Sequence, residues 1–264
     1  MDLIIFILVL STLIVVHELG HFLAARRLGV KVEEFAIGFG KVIFRKKMKD
    51  FVFLICAVPL GGYVRLAGEN REKCQGVAYE YCSQSIGRRA QIIAAGPVFS
   101  FLLAWVLFAL VFMLGVSVPS AKVGGLLDGY PAKESGILKG DIITSINGLK
   151  VRNWLDVLNV VRSQTSRKIL KVGLIRNNKN MILEIKPKEV KAKNIFGKEV
   201  SWPVIGITPS EETVILRYGP LESIYRGGES VFKYTWLTLK SLFLILTGAV
   251  SFKNSISGPL GIFF

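Results

Sequence analysis

The 264-residue sequence predicts a multi-pass α-helical membrane protein with a separate α+β domain inserted behind its second apolar stretch. Three observations predict this. The chain is 51% hydrophobic and 20% charged at a mean hydropathy of +0.47, too apolar for a soluble globule of this length. Two stretches are long and apolar enough to cross a bilayer. From about residue 119 the pattern changes to short alternating runs punctuated by Gly and Asn, the signature of strands and tight turns.

The first crossing is expected over residues 1–28. Every residue from Leu3 to Val16 is apolar except Ser11 and Thr12, and the run resumes to reach Ala25, about 34 Å of helix. A cleaved signal peptide fits poorly, because Asp2 stands where Lys or Arg is expected and polar residues interrupt the apolar region. The second crossing is expected over 91–118, since no charged residue occurs between Arg89 and Lys122. Arg26 and Arg27 close the first helix and Arg88 and Arg89 open the second. The positive-inside tendency therefore puts the loop 29–90 in the cytoplasm, with the N-terminus and everything after Val118 outside. The formal charge of +15 fits cytoplasmic loops and anionic lipid. A nucleic-acid partner is not expected, because no recognition motif accompanies the basic residues.

Two further apolar runs are less plain. Phe51 to Leu60 is too short to cross as a helix; a re-entrant or interfacial element fits, and a strand in a small cytoplasmic domain stays open. Val231 to Val250 is long enough to span but carries Lys233 and Lys240 on one helical face, so residues 210–264 are expected to hold an amphipathic helix at the membrane surface, a third span remaining the alternative. Cys56, Cys74 and Cys82 show neither zinc-ribbon spacing nor a paired framework and are expected as free thiols.

The two histidines of the chain, His17 and His21, stand in HELGH within the first apolar helix. Positions i and i+4 share a helix face, so both imidazoles can reach one metal ion. Glu18, about 100° further round, addresses a water at the metal rather than the metal itself. Ionisable groups in a membrane helix are costly and functional by default, which favours a hydrolytic zinc site over a chance pattern. Zinc commonly takes a third protein ligand, and no later histidine exists to supply it. Asp128, in LLDG, lies in a Gly–Pro turn beyond the second span, on the wrong side to be that ligand.

These residues resemble the site-2 proteases, intramembrane zinc metalloproteases, and among them the bacterial regulator-of-sigma-E type. HELGH matches the family's zinc and catalytic motif. GFG at Gly38–Gly40 and PLGGYVRL at Pro59–Leu66 are similar to its membrane-re-entrant β segment, and GRRAQIIAAGP at Gly87–Pro97 to its approach to the second span. The resemblance implies that Gly38, Gly40, Gly61 and Gly62 are substrate-side backbone, offering a strand edge to an unwound substrate helix. Simple turn glycines are the alternative. Residues 119–209 are similar to a permuted bacterial PDZ domain. Gly140-Asp141 opens the strand IITSI, Asn147-Gly148 makes a tight turn, and Trp154 to Arg162 is periodic enough for a helix. KILKVGLI and MILEI form a hairpin, and VIGI at Val204–Ile207 is the closing strand.

Two departures from the family stand out. Ser100 replaces an Asn that commonly follows the Gly-Pro of the second span, which weakens a substrate or oxyanion role there. The family's third ligand, an aspartate in a later membrane helix, is not in the chain, which ends at Phe264 after SISGPLGI, a segment that precedes that helix in relatives. The expectation is a chain cut short of its last helices and inactive by itself. The resemblance implies a multi-pass protease of the bacterial cytoplasmic membrane that uses Zn2+ to cut single-pass membrane proteins such as anti-sigma factors or signal-peptide remnants. Its PDZ domain would sit outside, meeting peptide C-termini or outer segments of substrates. The rival is a membrane-anchored PDZ adaptor or pseudoprotease, and it leaves three ionisable residues in a membrane anchor unexplained.

Overall fold

The computed structural model describes residues 2–70, 72, 74–164, 168–193 and 199–248, and the chain divides into two compact units, Met1–Ala109 and Leu110–Phe264. The first unit begins with α1 (Asp2–Arg27), whose last turn carries Arg26 and Arg27 against the helix dipole. Gly29, at φ +79°, ends it. β1 (Val32–Lys47) and β2 (Val52–Leu66) form two arms, Val32↔Leu66 to Ile37↔Gly62 and Val42↔Cys56 to Lys47↔Val52, and the arms join along a third stretch, Glu34↔Val52 to Ile37↔Ile55. The strands change register between the arms because β1 bends at Gly38 and Gly40, both in the left-handed region (φ +85° and +84°). Phe51 to Leu60 is thus sheet almost throughout, the strand that the sequence left open. Phe22, Ala25, Val30, Phe35, Leu66 and Ile92 close a small core under the end of α1.

A loop from Ala67 leads through a short 3-10 turn, Tyr81–Ser83, into α2 (Ile86–Leu114), which contains Pro97. This helix starts five residues before the expected boundary at 91 and stops before 118, because Gly115 takes φ +114° and a strand follows at once. In the loop Cys74 and Cys82 form a disulfide, which corrects the expectation of three free thiols; Cys56 alone is free and is buried among the described residues. The sequence hid the pair because the stretch between the two cysteines folds back around Glu80, whose carboxylate accepts hydrogen bonds from the Gln75 and Val77 amides. Among the described residues, α1 and α2 are the two helices long and apolar enough to cross a membrane, and their apolar windows are only 6% buried.

The second unit packs as the alternating pattern predicts. β3 (Val116–Pro119) pairs with β12 (Thr213–Leu216), and β4 (Val123–Leu126) with β11 (Ile207–Pro209). After the one-turn helix α3 (Pro131–Glu134), a four-stranded antiparallel sheet runs in the order β6-β5-β7-β8, built from β5 (Ile142–Ile146), β6 (Leu149–Lys150), β7 (Leu170–Arg176) and β8 (Lys179–Ile185). Its turns take Asn147-Gly148 and Asn177-Asn178, all at positive φ, as tight hairpins require. α4 (Trp154–Ser163) is capped by Asn153, whose side chain accepts from the Asp156 amide. β9 (Lys188–Lys193) and β10 (Glu199–Val204) form a further hairpin that the sequence did not announce. Ile143, Ile146, Val157, Leu170, Val172 and Ile185 are fully enclosed in one apolar core.

α5 (Pro220–Leu246) starts eleven residues before the marked run at Val231, with Pro220 in its first turn. Lys233 and Lys240 are exposed, and the buried residues of the helix are Ser223 and Gly227. The end of the expected helix at Val250 and the segment SISGPLGI lie outside the described residues.

Candidate metal centre

HELGH occupies the last turns but one of α1, and α2 lies against it. Gly20 makes that approach possible: a Cβ there would sit 2.4 Å from the Ala95 carbonyl oxygen, so a glycine is required for backbone to touch backbone. Gly96 does the same from the other helix. A Cβ on Gly96 would fall 2.3 Å from His21 Nε2 and 2.7 Å from His17 Nε2, so both nitrogens converge on the open space over one α-carbon. The imidazole rings stand edge to face, centroids 4.9 Å apart and 76° between planes.

The other nitrogen of each ring is engaged by α2. His21 Nδ1 lies 2.8 Å from the Ile92 carbonyl oxygen and His17 Nδ1 lies 3.0 Å from Ser100 Oγ. Ile92, Gly96 and Ser100 recur every four residues and so share one face of the helix. Two imidazoles with buttressed Nδ1 atoms and convergent Nε2 atoms are a donor set that suits zinc or a similar transition metal. The geometry of this chain's own residues therefore fits the metal that the motif implies.

Glu18 lies beside β2. Its Cγ is 3.6 Å from where a Cβ on Gly62 would stand. Of the four glycines singled out by sequence, Gly62 thus reaches the motif. Gly38, Gly40 and Gly61 shape the bends: a Cβ on Gly38 would meet the Val58 carbonyl oxygen at 2.6 Å and one on Gly61 the Phe39 ring at 2.3 Å. Ser11 Oγ donates to the Pro59 carbonyl oxygen, tying α1 to β2. Asp128 is exposed and ion-paired with Lys133 in the second unit, as its turn context implies. Sequence reasoning missed Gly20, Gly96 and the contact made by Ser100. The four-residue spacing on α2 was visible in the sequence, but nothing there said which helix it would meet.

Two histidines one turn apart on a helix, with a glutamate between them, define the HExxH class of metallopeptidase. The chain belongs to peptidase family M50, the site-2 proteases, whose family model matches residues 5–264. It is 33% identical to a Campylobacter jejuni protein provisionally named zinc metalloprotease, over 94% of this chain and 67% of that relative. It is 28% identical to the regulator of sigma-W protease RasP of Bacillus subtilis, over 98% of this chain and 78% of the relative. Among solved structures it is similar to the PDZ domain of an SdrC-like protein from Listeria monocytogenes, at 26% identity and a TM-score of 0.28, covering 36% of this chain and 90% of that one. That last likeness is too slight to carry an argument, and the strand pairings stand by themselves.

Proposed function

We propose that the protein is an intramembrane zinc metalloendopeptidase that cuts membrane-spanning segments of other proteins, as an integral protein of a bacterial cytoplasmic membrane. The observation that carries this reading is the convergence of His17 and His21 Nε2 over Gly96, inside two apolar helices that expose their large side chains. His17 and His21 hold the metal. When bound, zinc supplies a Lewis acid that polarises the scissile carbonyl and acidifies water. Glu18 removes the proton from the attacking water and returns it to the leaving amine. Backbone around Gly62 lies beside Glu18 and offers an extended substrate a strand to pair with. A helical substrate hides its backbone amides, so it must unwind before it can be cut.

Residues 119–209 act as an extracytoplasmic PDZ-type module that docks peptide ends or outer segments of the substrate. A cavity of about 270 Å³ between α4 and the strand end at Trp202–Ile207 supports this role. RasP is named for regulating sigma-W, and an anti-sigma factor or a signal-peptide remnant is the kind of single-pass substrate this architecture suits. The adaptor or pseudoprotease alternative makes the opposite prediction at one residue. Glu18→Gln is expected to keep zinc and peptide docking while cleavage of a single-pass test substrate in liposomes falls by at least about 100-fold. Undiminished cleavage would remove Glu18 as the base; a wild-type protein that binds zinc yet never cuts would favour the adaptor.

A further inference from the structure

We infer that Ser100 is a positioning residue that locks His17 in the Nδ1–H tautomer and so delivers its Nε2 lone pair to the metal. The inference rests on the reading that His17 and His21 bind zinc. His21 is the simpler of the two: its Nδ1 faces the Ile92 carbonyl oxygen at 2.8 Å, and a carbonyl oxygen can only accept, so the proton is on Nδ1 and the lone pair on Nε2. His17 faces a hydroxyl, which can donate or accept, and that contact alone fixes no tautomer. Ser100 Oγ also lies 3.3 Å from the Gly96 carbonyl oxygen, the i−4 back-bond open to a serine in a helix. With the hydroxyl proton in that bond, Oγ offers His17 a lone pair, and Nδ1 carries the hydrogen that leaves Nε2 free for a metal.

The opposite arrangement would put the proton on His17 Nε2 and cap the atom that has to bind. Ile92, Gly96 and Ser100 thus form one device along a single face of α2: a carbonyl orients one ring, a hydroxyl the other, and the bare α-carbon between them leaves room for both nitrogens. This gives Ser100 a role independent of any contact with substrate.

The test uses detergent-solubilised full-length protein, with zinc affinity measured by competition with a chromophoric chelator and ring tautomers by 15N-histidine NMR of the metal-free form. Ser100→Ala is expected to weaken zinc binding about 10- to 100-fold and to raise the Nε2–H fraction of His17 but not of His21. Ser100→Thr, which keeps the hydroxyl, is expected to restore both. Zinc affinity and tautomer unchanged in Ser100→Ala would overturn the inference, as would an Nε2–H His17 in the wild type, a result readable even if the alanine variant fails to fold. Failure of the underlying reading looks different: the wild type and a His17→Ala, His21→Ala double variant would then bind zinc alike.

Discussion

The two units of this protein solve the burial problem in opposite senses. In the second, large apolar residues are inside: Leu170, Val172 and Ile185 are wholly enclosed. In the first, α1 and α2 turn Ile4, Leu8 and Ile93 outward, each at least 60% exposed, while the polar pieces, His17, His21 and Ser100, meet between the helices. The second arrangement is that of a chain folded in water; the first is the one expected of helices meeting lipid. Where the surroundings supply no hydrophobic drive between helices, close contact depends on small residues, and Gly20 and Gly96 are the ones used here.

The contrast can be broken most severely at Gly96. Gly96→Val places atoms where the two Nε2 nitrogens now lie, and zinc binding should be lost outright, with little change in the unfolding of the second unit in the same protein. Retained zinc measured by metal analysis after gel filtration would show that the helices do not pack as described.

In the second unit, a costly polar change is expected at Asp141. Its carboxylate is fully enclosed, accepts from the Leu138 amide and is held by Arg176 through two hydrogen bonds of 2.8 and 2.7 Å. Burial alone would raise its pKa, but the Arg176 hydrogen bonds and charge and the Leu138 amide hold it below the usual carboxylate value. Asp141→Ala leaves Arg176 without its partner and should destabilise that unit by about 3 kcal/mol in urea melts. A depressed folded-state pKa contributes stability above the unfolded value of ~3.9 that is lost as pH falls through the folded one. Acid titration of the wild-type domain should therefore show a loss of stability below about pH 4 that Asp141→Asn lacks. Identical acid profiles would remove Asp141 as the cause.

A matched pair of truncations sharpens the comparison at the small end. Leu170→Ala opens a cavity in a packed core and should cost about 2–5 kcal/mol. Ile4→Ala, at an outward position, should change stability in detergent by less than about 0.5 kcal/mol. Equal costs at the two sites would mean that α1 is packed against protein rather than lipid.

The same division explains what could be read from residues alone. In the second unit, periodicity of two and the Asn-Gly and Asn-Asn turns located β5, α4, β7 and β8 almost to the residue, because local geometry decides them. The β9–β10 hairpin escaped, since KEVKAK carries so many charges that it does not look like a strand. In the first unit HELGH declared itself through the cost of ionisable residues in an apolar helix. The partners of HELGH did not, because Gly20 against Ala95 and Ser100 against His17 are contacts between residues some 75 to 83 positions apart, fixed by helix packing that no local pattern encodes. The bends of β1 and β2 were hinted at by their glycines, but the register change between the arms was not.

The Cys74–Cys82 bond joins two lines of reasoning that pull apart. From the charge flanking α1 and α2 the loop is expected on the reducing side of a membrane, where disulfides rarely persist, whereas in the structure the bond is closed. The bond is therefore a compass for the whole chain. Thiols that react with a membrane-permeant alkylating reagent in living cells, and close only after extraction into air, would orient every other segment with the loop inside. A bond already closed in vivo would turn the protein over and put the histidine-bearing helix in the reverse sense.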